Sequence, residues 1–148
     1  MDTGGIDSAI FSQMGLLARR TSPVLAKTPA DTVLLVHGMM LMSDFRNDEE
    51  RAVFDAFLRT LPELKGEDLA EVEAAVDRLR GDGVDALVRL SSPALKRKMF
   101  VLAIDIAMSS GSIDDDEDTL LDRMQTVLGI DLDTAERIVD VLALKYAR

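Results

Sequence analysis

Apolar residues recur at helical spacing along most of the chain, and no stretch alternates apolar and polar residues as a half-buried strand does. Two runs, residues 33–42 and 99–108, are apolar on almost every side and are each interrupted by one polar residue, His37 and Asp105. A helix that is apolar all round lies in the interior of a fold. We therefore expect an all-α bundle around a buried central helix at residues 99–108.

The other apolar stripes predict a bundle of seven to eight helices joined by short loops. Residues 1–30 are expected to form an N-terminal amphipathic helix, over residues 6–20, and a linker. Residues 31–148 are expected to form one helical domain, in which a short helix spans residues 84–90. Short polar residues of the kind that cap helix N-termini mark four helix starts: Asp31, Ser92, Asp114 and Asp133.

An internal repeat organises the helical domain. Sliding the chain by 66 residues places residues 33–43 on residues 99–109, and each copy is followed by a polar loop and an acid-rich helix start. With one residue of slack, Glu50 falls on Glu117, and two further amphipathic helices align. We therefore expect two pseudo-repeated units, each a buried helix, an acidic loop and two amphipathic helices, with the acidic loops at equivalent corners of the fold.

The composition excludes several kinds of chemistry. The chain contains no cysteine, which removes disulfides, thiolate nucleophiles and thiolate metal sites. Its single histidine, His37, leaves no histidine pair for a metal or for catalysis. The sequence also lacks a glycine-rich phosphate loop and a nucleophile-elbow motif. We therefore expect no enzymatic activity.

Charge and hydropathy set expectations about partners and location. A net charge of −10 should repel phosphate backbones, so we expect no nucleic-acid binding. No apolar run reaches the length of a membrane span, although the N-terminal amphipathic helix leaves peripheral membrane contact open. The absence of a signal with a positive N-terminal region predicts a cytoplasmic location. A small basic group, Arg89 with residues 96–98, leaves a homodimer open beside a different protein partner.

Acidic residues form the sharpest local feature of the sequence. Residues 99–122 contain seven acids and no base, and residues 114–118 are five consecutive acids. Asp114 and Glu117 have the spacing of a helix capping box, and the helix dipole favours acids in a first turn. Five consecutive charges exceed what capping needs, and carboxylates are the ligands that Ca²⁺ and Mg²⁺ prefer. The cluster is thus either helix-start electrostatics alone or a site for a cation or a basic partner.

Two polar residues inside apolar helices have simpler interpretations. Asp105 is expected to face a polar edge or to pair with a basic residue at 96–98, because a buried carboxylate is costly unless it is paired; a functional carboxylate near the loops is the alternative. His37 is expected to be a hydrogen-bonded core residue, and Gly38 beside it to permit close helix packing.

The two acidic loops carry a family resemblance. Residues 110–117 read SGSIDDDE and residues 44–50 read DFRNDEE, each after a buried helix. This unit resembles the tellurite-resistance TerB family, including its relatives at the N-terminus of some membrane-anchored J-domain co-chaperones, over residues 31–147. The family usually has Asp where this chain has Ser110, and Gly where it has Phe45.

The resemblance implies an all-helical domain whose acidic loops are proposed to bind divalent metal and which serves stress-response complexes, without an established enzymatic activity. The expected function is thus a non-enzymatic module that binds a divalent cation or a basic protein partner in a tellurite-resistance-like assembly. A metal-independent helical adaptor and, less favoured, a carboxylate-based metal hydrolase remain alternatives. The candidate ligands for Ca²⁺ or Mg²⁺ lie in both acidic loops: Asp44, Asp48, Glu50, Asp114, Asp116 and Glu117.

Overall fold

Six α-helices and two 3₁₀ segments make up the described part of the chain. A computed structural model describes residues 25, 27–43, 48–109 and 113–147, and of residues 48–50 and 53 the backbone alone. The helices are α1 (Pro29–Leu41), α2 (Asp48–Thr60), α3 (Leu69–Leu79), α4 (Pro93–Ser109), α5 (Asp115–Leu128) and α6 (Leu132–Lys145). The 3₁₀ segments are η1 (Pro62–Leu64) and η2 (Arg80–Arg89). These ranges contain no β-strand, which confirms the all-α class.

Helices α1 and α4 supply most of the interior. In α4 the buried residues include Leu95 and Met99, and in α1 they include Leu35 and Met39, all with no measurable exposure. Helix α4 packs against α1, α5 and α6, while α1 also packs against α3 and η2. The predicted central helix at residues 99–108 therefore lies in the core, with α1 beside it.

Gly38 allows α1 and α4 to approach closely. A Cβ atom at Gly38 would lie 2.3 Å from Sδ of Met99, which is too close for any real contact. At the start of α1, Asp31 accepts a hydrogen bond from the backbone N–H of Ser91, just before α4. Asp31 and then Gly38 in α1 contact Ser91 and then Met99 in the same order along the sequence. Helices α1 and α4 therefore run in the same direction.

Helix starts follow the predicted capping chemistry, with two displacements. Asp114 caps α5 in a capping box with Glu117, as predicted. Helix α1 begins earlier than predicted, because Thr28 and Pro29 form its start and Asp31 is the third residue that completes the capping box. Helix α6 is capped by Asp131 rather than Asp133, since Asp131 accepts a hydrogen bond from the backbone of Thr134.

The number of helices differs from the expectation in the described part. The predicted short helix at residues 84–90 is the second half of η2, which is interrupted at Gly83 by φ 59° and ψ −149°, a conformation that glycine adopts readily. The helix predicted over residues 6–20 lies outside the described residues. The total of seven to eight helices therefore stays a prediction.

The order of the helices agrees with the repeat. Three helices, α1 to α3, are followed after η2 by three more, α4 to α6, in the order that the two predicted units require. Superposition of the two units stays a prediction, and so does the domain boundary at residue 31.

Candidate functional site

The first turn of α5 carries the acidic cluster. The Asp114 side chain accepts a hydrogen bond from the backbone N–H of Glu117 at 2.8 Å, and the Glu117 side chain accepts one from the backbone N–H of Asp114 at 3.2 Å. Both carboxylates are thus partly used in closing the helix start. Asp115, Asp116 and Asp118 are exposed and take no part in this capping box. The sequence therefore places three carboxylates here beyond those that the helix start requires.

The other three candidate ligands lie in the first acidic loop. Asp44 is outside the described residues, and Asp48 and Glu50 are described by their backbone alone, in the first turn of α2. Both acidic loops follow the C-terminal ends of helices that run in the same direction, α1 and α4. The prediction that these six acids are cation ligands stays a prediction.

A divalent cation needs several oxygen ligands that converge on one point. Among the residues whose side chains are described, no group of three or more His, Asp or Glu side chains is arranged to hold a metal ion. The roles of Asp114, Asp116 and Glu117 as cation ligands stay a prediction.

The C-terminal third of the chain has an excess of negative charge. Residues 113–147 contain ten acids and three bases. Two of the three bases face acids outside this segment: Arg123 contacts Asp85 at 3.4 Å, and Lys145 contacts Asp105 at 3.0 Å. Within the part of the chain that the structure describes, none of the ten acids forms an ion pair. Helices α5 and α6 therefore present an acidic surface that no ion pair among the described residues neutralises.

Asp105 has a different partner from the one expected. Its carboxylate accepts hydrogen bonds from Nζ of Lys145, at 3.0 and 3.1 Å, and from the hydroxyl of Tyr146. Burial raises the pKa of the Tyr146 hydroxyl, and the hydrogen bond to Asp105 adds to this. The expectation of a partner at residues 96–98 was wrong, because these lie two turns earlier in α4. Asp105 instead attaches the end of α6 to α4.

His37 is a core residue, as expected. The ring is buried, and its Nε2–H donates a hydrogen bond to the backbone carbonyl of Gly83 at 2.7 Å. A cavity of about 220 Å³ opens beside it. The cavity wall includes Arg80, whose guanidinium is held by Asp77 at 2.8 Å. His37 therefore connects α1 to η2, and its Nε2–H is already used.

A comparison with models of protein families identifies the family of this chain. The sequence model of the family described as tellurite resistance protein TerB matches residues 30–140. The chain belongs to the TerB family. Neither the comparison with curated proteins nor the comparison with solved structures finds a significant match.

Buried polar contacts connect distant parts of the TerB chain. Asp31 is buried and accepts hydrogen bonds from the hydroxyl of Ser91 at 2.5 Å and from the backbone N–H of Thr28 at 2.7 Å. Lys98 donates to the buried carboxylate of Glu63 at 2.6 and 2.8 Å. Sequence reasoning missed the pairs Asp31–Ser91 and Lys98–Glu63, because their partners are 60 and 35 residues apart and no local pattern signals them.

The basic group of this TerB chain is less available than the sequence indicated. Arg89 contacts Asp82 at 3.0 Å, and Lys98 is occupied by Glu63. Lys96 and Arg97 remain on the surface without an ion pair among the described residues. The homodimer that this group was to support stays a prediction.

None of the helices in the described ranges combines the length and the hydropathy that a membrane span requires. The amphipathic segment at residues 6–20, on which the predicted peripheral membrane contact rests, is outside those ranges.

Proposed function

We propose that this TerB-family chain is a non-enzymatic binding module whose acidic surface at the start of α5 binds a basic segment of a protein partner, within a stress-response assembly of the tellurite-resistance type. The observation that carries the proposal is the presence of three exposed carboxylates, Asp115, Asp116 and Asp118, beyond the two that cap the helix. Clustered charges of one sign steer and select partners of the opposite sign.

The alternative of helix-start electrostatics alone accounts for part of this cluster. One acid near a helix N-terminus is favoured by about 0.3–1 kcal/mol, and the capping box uses two acids. Further neighbouring acids repel one another, so their contribution to folding falls while their attraction for a positive ligand grows. The acids at residues 114–118 that the capping box does not use therefore support ligand binding as the reason for this cluster.

A divalent cation is the second ligand that we propose for the same surface. The support is chemical, since carboxylate oxygens suit Ca²⁺ and Mg²⁺. The proposed ligands are Asp114, Asp116 and Glu117 at the start of α5 and Asp44, Asp48 and Glu50 in the first acidic loop. A metal-independent adaptor remains the alternative if the basic partner binds with no cation present.

We also propose that the chain works in the cytoplasm and carries out no catalysis. A carboxylate-based hydrolase is disfavoured because the single histidine, His37, is buried and bonded to Gly83. The chain contains no cysteine, so direct reduction of tellurite by a thiol of this protein is excluded.

Calorimetric titration of the full chain tests both ligands. The probes are Ca²⁺, Mg²⁺, Mn²⁺ and Zn²⁺, each alone, and a peptide of alternating Lys and Ala. The test variant combines Asp114→Asn, Asp116→Asn and Glu117→Gln, because Asn and Gln retain the capping geometry while they remove three charges. The control combines Asp68→Asn and Glu71→Gln, which removes the charge of the N-cap residue and one further acid from the first turn of α3.

The proposal predicts heat from the peptide or from a cation, its loss in the α5 variant and its retention in the α3 control. Binding of neither probe, or equal loss in both variants, would contradict it. Cation binding that survives in the α5 variant would place a metal elsewhere.

A further inference from the structure

A small cavity lies between α1 and the C-terminal half of α3, two helices that pack against each other. Its volume is about 220 Å³, and it is lined by His37, Met40, Leu41, Ser43, Val76 and Arg80. An apolar cavity of about 150 Å³ in another protein is large enough to hold benzene. The cavity beside His37 can therefore hold a molecule slightly larger than one aromatic ring.

Apolar side chains form one part of the cavity wall. Val76 is buried in the core, and Met40 and Leu41 are partly buried against it. A ligand that covers these three side chains removes apolar surface from water, which favours binding. The ligand should therefore have an apolar body.

His37 supplies a buried polar atom beside this apolar wall. Its Nε2 lies 2.7 Å from the carbonyl oxygen of Gly83, and a carbonyl oxygen only accepts hydrogen bonds, so Nε2 carries the proton. In the neutral ring Nδ1 is then an acceptor. No group in the described part of the chain donates a hydrogen bond to Nδ1. Because a buried polar atom without a partner is costly, a ligand that donates a hydrogen bond to Nδ1 is favoured.

The other two polar residues of the wall already have partners. The hydroxyl of Ser43 donates to the backbone carbonyl of Met39 at 2.9 Å. Arg80 is the one charged residue among the six that line the cavity, and its guanidinium is paired with Asp77 at 2.8 Å. A charged ligand would therefore lose its hydration without gaining an unpaired charge of opposite sign, which is costly.

We propose that this cavity binds a small neutral molecule that has an apolar body and one hydroxyl group. The body packs against Met40, Leu41 and Val76, and the hydroxyl donates a hydrogen bond to Nδ1 of His37. A carboxylate is disfavoured, because its oxygens and the unprotonated Nδ1 are all acceptors. The inference goes beyond the proposed function, since it concerns another class of ligand and none of the acids at the start of α5.

Nuclear magnetic resonance of the His37 ring tests this site in the full chain. His37 is the only histidine, so its ring nitrogens give one set of signals in long-range ¹H–¹⁵N spectra. The probe is p-cresol, titrated in mildly alkaline buffer. Three controls change only its polar group: toluene lacks the hydroxyl, 4-methylanisole has it capped by a methyl group, and 4-methylbenzoate has a carboxylate instead. Cyclohexanol carries the hydroxyl on an aliphatic ring.

The inference predicts that p-cresol moves the Nδ1 signal upfield, as acceptance of a hydrogen bond does. It should bind at least about tenfold more tightly than toluene or 4-methylanisole, which cannot donate to Nδ1. Binding of cyclohexanol as well would define the ligand as an alcohol in general, and binding of p-cresol without it would define a phenol; both support the inference. An unchanged Nδ1 signal, equal binding of toluene, or tighter binding of 4-methylbenzoate would overturn it.

A matched pair of variants places the ligand in the cavity. Met40 and Met108 are both partly buried against the core, and Met40 lines the cavity whereas Met108 does not. Met40→Trp should fill part of the cavity and weaken p-cresol binding at least about tenfold, while Met108→Trp should change it less than about twofold. Circular dichroism confirms that each variant is folded, and the wild-type Nδ1 signal decides the question if Met40→Trp is not. Equal affinities of wild type and folded Met40→Trp would overturn the inference.

The variant of the α5 acids separates this inference from the proposed function. Neutralising Asp114, Asp116 and Glu117 should leave p-cresol binding unchanged, because none of these acids lines the cavity. Loss of p-cresol binding in this variant would place the ligand at the acidic cluster and overturn the inference. Failure of the basic peptide and of all cations to bind would refute the proposed function and leave the cavity site standing.

Discussion

Lys98 and Glu63 form an ion pair inside the protein, between α4 and η1. Nζ of Lys98 lies 2.6 Å from Oε1 and 2.8 Å from Oε2 of Glu63, whose side chain is fully buried. A buried charge that loses its partner is costly, because no water replaces the lost contact. The pair therefore fixes η1 against α4 and makes stability sensitive to either residue.

Breaking this pair should destabilise the fold far more than breaking a surface pair. We expect Lys98→Met to lower the free energy of unfolding by about 3–5 kcal/mol. Arg80→Met, which removes the exposed contact with Asp77, should cost less than about 1 kcal/mol. Adding Glu63→Met to Lys98→Met should recover most of the loss. Urea unfolding measures all three, and equal losses in the two single variants would contradict the buried pair.

Tyr146 should titrate above the usual range. Burial raises the pKa of its hydroxyl, and so does the hydrogen bond to Asp105. It is the only tyrosine, so ultraviolet absorbance follows it directly. We expect a pKa above about 10 in the native protein and a lower one in Asp105→Asn, with no change in Asp140→Asn. Because the folded pKa is raised, this contact stabilises the fold below about pH 10 and is lost as the pH rises through the folded pKa. Identical titration of Asp105→Asn and wild type would show that the contact is absent.

Asp31 should make stability depend on acid pH. Burial alone would raise its pKa, but hydrogen bonds from Ser91 and Thr28 hold the pKa below its usual value. Such a carboxylate stabilises the fold above its unfolded pKa of about 3.9, and this is lost as the pH falls through the folded pKa. We expect Asp31→Asn to cost about 2–3 kcal/mol at neutral pH and clearly less at about pH 2. A difference from wild type that is the same at both pH values, in urea unfolding, would refute the assignment.

A side chain at Gly38 should destabilise the fold. In Gly38→Ala the new Cβ would meet Met99, whose side chain is fully buried and has to move. We expect a loss of about 1–3 kcal/mol in thermal or urea unfolding, although alanine favours helix by about 1 kcal/mol. Gly81→Ala is the matched control, because nothing lies within 4 Å of its Cβ position; it should change stability by less than about 1 kcal/mol. A Gly38→Ala variant as stable as wild type would contradict the close approach of α1 and α4.

The fold class could be predicted because helical periodicity is a local signal. Apolar spacing predicted α1 and α4 as interior helices, and the capping box of Asp114 and Glu117 set the start of α5 correctly. The start of α1 lies three residues and the start of α6 two residues earlier than predicted, because several short polar residues compete there and Thr28 and Asp131 are the ones that begin the helices. The hydrogen bonds between residues far apart in sequence, such as Asp31 with Ser91, could not be predicted from local patterns.

The sequence predicted which residues of the candidate site are acidic. It did not predict where their carboxylates lie relative to one another. A run of acids is visible in any sequence, but whether carboxylates converge depends on how two distant loops are placed. Asp105 shows the same limit, since its partner Lys145 is 40 residues away. Periodicity shows that a helix has an apolar side and not whether a neighbour covers it, so the exposure of Val141 and Leu144 could not be predicted.

Chemical-shift mapping of the full ¹⁵N-labelled chain is the most direct test of the binding surface. The chain is titrated with the Lys/Ala peptide and, separately, with Ca²⁺. The account predicts that amide shifts from at least one titrant concentrate at residues 113–118 and disappear when Asp114, Asp116 and Glu117 are neutralised. Spectra unchanged by both titrants, or shifts confined to α2 and α3, would contradict it.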